Sequence, residues 1–97
     1  MSSTSSISSG QIVANTAVAV GKNRLNALSV TGDGTNAGTV TVYDNATTAS
    51  GKILAQGLTR PSDVQQHIIF TFPVVAENGL YVTITGTNCK AIVYYGA

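Results

Sequence analysis

Short runs rich in Val, Ile, Thr and Tyr, about seven or eight of them, recur at intervals of roughly ten to twelve residues, and Gly, Asn, Asp or Pro breaks each one. That grammar restricts the chain to an all-β fold. The runs are QIVANTAVAV at 11–20, RLNALSVTG at 24–32, TVTVYD at 39–44, KILAQGL at 52–58, VQQHIIFTFP at 64–73, LYVTITG at 80–86 and CKAIVYYG at 89–96. No stretch repeats apolar residues at helical spacing, and SDVQQH at 62–67 has room for one turn at most.

Alternation assigns the faces, because successive side chains on a strand point to opposite sides. Val40 and Val42 are expected inward, with Thr39, Thr41 and Tyr43 on a wet face. Leu80, Val82 and Ile84 are likewise expected inward, with Tyr81, Thr83 and Thr85 outward. In 24–32 strict alternation sets Leu28 and Val30 against Leu25, Ala27 and Ser29. In 64–73 it sets Ile68, Phe70 and Phe72 against His67, Ile69 and Thr71, and Pro73 is expected to end the strand. Turns are expected at Glu77-Asn78-Gly79 and over 45–51, where Gly51 can take the positive φ that returns the chain to the sheet. The expected architecture is a single β-sandwich or jelly-roll-like domain of about seven or eight antiparallel strands over 11–97. A flexible Ser-rich arm over 1–10 precedes it, too polar to offset its own ordering entropy. Without a Cys…Trp…Cys spacing, an immunoglobulin domain is not supported.

Charged residues are only 9% of the chain and the net charge is +1, with no Lys/Arg cluster, so no nucleic-acid partner is expected. No apolar stretch approaches a membrane span, and the start has neither a basic nor an apolar leader segment, so no membrane partner is expected and synthesis is assigned to the cytoplasm. A surface so poor in charge gives little colloidal repulsion, which suits a protein covered in an assembly. Cys89 is the only cysteine, so no intrachain disulfide can form and a buried thiol is expected.

Catalytic chemistry has no pattern to stand on. Asp33, Asp44, Asp63 and Glu77 all fall in turns or loops, where carboxylates organise backbone amides. His67 is alone and can complete neither a triad nor a metal site. GDGTNAG at 32–38 lacks the alternating carboxylates of a calcium loop, and neither Gly21-Lys22 nor Gly51-Lys52 lies in a phosphate loop. No cofactor or metal is expected, and the chain is expected not to be an enzyme. Tyr43, Tyr81, Tyr94 and Tyr95 could form an aromatic platform for a glycan, although there is no Trp.

The stretch RLNALSVTGDGTNAGTVTVYDNATTASGKIL, then FTFPVVAENGLYVTITGTN, then AIVYY, resembles the small virion structural proteins of tailed bacteriophages, of the capsid cement, decoration or head-fibre type. The likeness runs from about Arg24 to Tyr95. It implies a β-sandwich protein of the capsid surface, made in the host cytoplasm, that binds the major capsid protein and stabilises the head without catalysis. A carbohydrate- or receptor-binding module on a fibre or tail is the alternative. Copies are expected to associate with one another, as a homotrimer ahead of a dimer, since capsid lattices offer threefold positions. The candidate contact residues are Ile7 of the arm, Ile12 and Val13 behind it, His67, and Tyr43, Tyr81, Tyr94 and Tyr95.

Overall fold

The computed structural model describes residues 7–32, 35–59, 65–86 and 88–96, with the backbone path alone for 65–73. Eight strands follow one another: β1 (Ile7–Ser8), β2 (Thr16–Val20), β3 (Asn23–Thr31), β4 (Gly38–Tyr43), β5 (Ile53–Thr59), β6 (Gln65–Ala76), β7 (Gly79–Thr85) and β8 (Lys90–Gly96). Of the arm expected over 1–10, residues 1–6 lie outside the described residues, and Ile7 and Ser8 form β1.

All pairings are antiparallel and nested: β1 with β8, β2 with β7, β3 with β6, and β4 with β5. The chain therefore pairs like one long hairpin whose tip is the β4–β5 connection. Two further ladders, β3 with β8 and β4 with β7, roll that hairpin into two four-stranded sheets. Their orders are β1-β8-β3-β6 and β2-β7-β4-β5. This arrangement is compatible with a β-sandwich.

One core joins the two sheets. The four central strands supply most of it: Leu25, Leu28 and Val30 from β3, Ala91 and Val93 from β8, Val40 and Val42 from β4, and Leu80 and Val82 from β7. Ile12, Ala76 and Cys89 complete it from outside those strands. The alternation read in β4 and β7 holds, with Val40, Val42, Leu80 and Val82 fully buried and Ile84 packed against them. The other face of β4 is less wet than alternation suggests. Thr41 is buried beneath Gln56, whose Nε2 donates to Thr41 Oγ1 at 3.1 Å.

β3 departs from strict alternation. Leu25 is buried with Leu28 and Val30 and does not lie on the opposite face. Both of its ladders shift register between Leu25 and Ala27, so Asn26 forms a bulge. One extra residue reverses the parity of everything before it, which turns Leu25 back to the core.

Pro73 does not end its strand, because β6 continues to Ala76. The ladder passes from Leu25↔Val74 to Ala27↔Ile69, leaving 70–73 opposite Asn26 alone. A residue without an N–H is tolerated there, on an edge strand and within a break in the ladder. The run at 11–20 also divides. β2 begins only at Thr16, and before it Ile12 makes an isolated bridge to Ala91 of the other sheet.

Candidate functional site

Two regions bring together residues that could act on something outside the fold. One is the end of the molecule where the β2–β3, β4–β5 and β6–β7 connections meet. The other is the strip along β8 covered by residues 7–12.

At the first, Asp44 closes β4 and donates its own N–H to the Lys52 carbonyl at 2.7 Å, which fastens the neck of the 45–51 loop. Its carboxylate Oδ1 accepts the Asn78 N–H at 2.7 Å, from the turn between β6 and β7. Burial pushes the Asp44 carboxyl up, but the backbone amides of Asn78, Glu77 and Gly79, together with nearby Lys52, outweigh it and hold the group below its ordinary value. The Asn78 carbonyl in turn accepts the Gly21 N–H at 2.9 Å, which ties in the β2–β3 turn. Asn45 serves its own loop, with Oδ1 accepting the N–H groups of Thr47 and Thr48 at 2.9 and 3.0 Å. This pattern organises three turns and presents no paired acid and base.

At the second region, residues 7–12 lie along β8 as a strap. Ile7 pairs with Tyr95 and Ser8 with Tyr94. Ser9 donates its N–H to the Val93 carbonyl at 2.9 Å, and its hydroxyl accepts the Val93 N–H at 2.9 Å. Ile12 exchanges both main-chain bonds with Ala91, at 2.7 and 2.9 Å, and its side chain enters the core.

The candidate contact residues separate accordingly. Ile7 is 54% exposed and Val13 65% exposed, both open to contact, whereas Ile12 belongs to the core. The four tyrosines do not form one platform. Tyr43 and Tyr81 are cross-strand partners on β4 and β7 of the second sheet, while Tyr94 and Tyr95 lie on β8 of the first. Tyr95 packs against the core, so only Tyr94 of that pair is on the outer face. His67 stands opposite Ser29 in the β3–β6 ladder, and its side chain lies outside the described residues, as do Asp33 and Asp63.

Sequence reading passed over a distribution that the sheet order exposes. Among the described residues, the large exposed apolar side chains are Ile7, Val13, Val20, Ile53, Leu58 and Val75. Ile7 is on β1, Val20 on β2, Ile53 and Leu58 on β5, and Val75 on β6. These four strands are the sheet edges. Val13 sits in the connection from the strap to β2. Among the described residues, the central strands carry none. Alternation within a run cannot find this pattern, because edge position depends on pairing.

Cys89 is buried just ahead of β8, and burial pushes its thiol up. A side chain at Gly38 would lie 2.6 Å from its sulfur, so only glycine lets β4 pass that close. Among the described residues, no three His, Cys, Asp or Glu side chains gather where a metal ion could be held. Among the same residues, no helix is long and apolar enough to cross a membrane. Neither a protein-family model nor a curated protein sequence matches the chain.

Proposed function

We propose that the protein is a non-enzymatic structural component of a bacteriophage virion, a capsid cement or decoration protein that binds the major capsid protein lattice and stabilises the head. The observation that carries this reading is the placement of the exposed apolar side chains on the four edge strands and the strap connection. An edge strand offers unpaired backbone groups, and apolar side chains beside them add burial when another chain docks. The nested order β1-β8-β3-β6 over β2-β7-β4-β5 reads as a jelly roll, an architecture that viral capsid and lectin domains use. The sequence resemblance to small virion proteins points the same way. Self-association belongs to the proposal, with trimers favoured at threefold lattice positions, where avidity multiplies a modest contact.

Imaging of purified particles, with copy counting by mass spectrometry, tests the location. Many copies spread over the shell support the proposal, and a few at one vertex point to a fibre or tail part. Particles depleted of the protein should lose heat and osmotic resistance; if they keep both, the cement role is wrong.

A second reading is favoured by the Tyr43↔Tyr81 pair, two aromatic residues side by side on the outer face of the second sheet. In this alternative the pair is a platform for a glycan receptor. Glycan-array binding lost on Tyr81→Ala would support it, and an array with no binding would retire it.

A further inference from the structure

We propose that residues 7–12 form an exchangeable strap: the edge of β8 accepts this segment from a second copy of the chain, and the protein self-associates by trading it. The edge needs such a strand. Ala91 and Val93 direct main-chain N–H groups away from β3, and among the described residues those groups are met by Ile12 and Ser9. Without the strap they would form an open sheet edge along β8, a template for another strand, beside the buried core residues Ala91 and Val93. The occupant is specified closely. It must supply backbone along the strip from Tyr95 to Ala91, the Ser9 hydroxyl at Val93, and an aliphatic side chain where Ile12 enters the core. Among the described residues this segment alone does all three, so a second copy is the partner that fits without any new contact.

The strap is also loosely bound to its own body. Ile12 is its single buried side chain, while Ile7 and Ser8 are exposed. Residues 13–15 join it to β2, which lies in the other sheet, and all three are exposed. Asn15 is fixed at one end of that hinge by accepting the Ile84 N–H at 2.9 Å, and the Ala14 carbonyl accepts the Thr16 hydroxyl at 2.8 Å, so the passage between sheets turns at Val13. Short hinges of this kind favour exchange, because an extended hinge relieves the turn while every strap contact is recovered on the neighbour. Ile7 and Val13, both more than half exposed, lie where two bodies linked by a strap would cover them. The inference rests on the pairing geometry and gives the self-association proposed above a route, while the capsid location is tested separately by imaging of particles.

The test uses the purified protein with Ser8→Cys and Tyr94→Cys, a cross-strand pair, in a Cys89→Ala background. After refolding over a range of concentrations and oxidation, a non-reducing gel separates intrachain from interchain disulfides. Exchange predicts that the interchain fraction rises with concentration, in direct proportion to it while that fraction is small, following mass action. Intrachain bonds alone at every concentration would overturn it. An independent variant keeps the native residues and inserts Gly-Ser-Gly between Val13 and Ala14. Light scattering should then show loss of the oligomers formed by the unmodified chain. Oligomers that persist unchanged with the longer hinge, or an unmodified chain that stays monomeric at the highest concentration, would equally sink the proposal.

Discussion

Asp44 Oδ1 accepts the backbone N–H of Asn78 at 2.7 Å, joining the end of β4 to the turn between β6 and β7 across 34 residues of sequence. The contact converts a carboxylate at a strand end into the fastening of a distant turn. Hydrogen bonds to a charged group are worth about 1.5–3 kcal/mol, reduced where solvent reaches them. Asp44→Ala should therefore cost roughly 1–2 kcal/mol, read as a lower denaturant midpoint with an unchanged slope. An unaltered midpoint would mean that the turn holds itself.

The same contact sets a pH dependence. The folded Asp44 carboxyl lies below its ordinary value, so the unfolded chain takes up the proton first as acid is added. Its contribution is complete above the unfolded carboxylate pKa of about 3.9 and is lost as pH falls through the folded value. Melting temperature should fall across that acid window in the native protein, with a shallower fall in Asp44→Asn. Parallel profiles for the two proteins would contradict the assignment.

Gly79 and Gly21 both have positive φ, at 153° and 84°, but in different surroundings. A Cβ at Gly79 would lie 2.6 Å from the Ala19 carbonyl oxygen and 3.0 Å from that of Asn45, both of them backbone. A Cβ at Gly21 would meet nothing within 4 Å. Gly21→Ala should cost about 1 kcal/mol, from backbone strain alone. Gly79→Ala should cost roughly 3 kcal/mol or more, since the β2 and β4–β5 backbones must also shift. Thermal melts of the two variants compare them directly, and equal losses would remove the packing argument.

Leu25 and Leu28 differ in parity yet share the core. Each Leu→Ala change should cost about 3 kcal/mol, within the range for buried leucines. If Leu25→Ala proved nearly neutral in denaturant unfolding, the Asn26 bulge would not be present in solution.

Much of the local structure is legible in the residues. TVTVYD and LYVTITG alternate with one inward set each, and the structure buries Val40, Val42, Leu80 and Val82 as that alternation requires. Gly51 takes a φ of 89° at the turn expected to need it, and Cys89 is buried. Elsewhere the local pattern misled. Strict alternation sets Leu25 on the face opposite Leu28, because a bulge leaves no mark in hydrophobic period. Pro73 looked like a strand end because its tolerance depends on an edge and a break in the ladder. Ile12 is a candidate contact residue by sequence, and its bridge to Ala91 draws it into the core.

What the sequence determined by itself is what short-range chemistry controls: strand content from β-branched and aromatic runs, turn positions from Gly, Asn and Asp, and side-chain parity wherever a strand runs without interruption. Only the tertiary structure decided the nested pairing, the four edges, the partner of Asp44 and the path of the strap along β8. These depend on contacts between residues far apart in the chain, such as Ile7 with Tyr95 and Asp44 with Asn78. Such contacts stabilise the chain only once loop closure has brought both partners together, so neither member carries a sign of the other in its own neighbourhood.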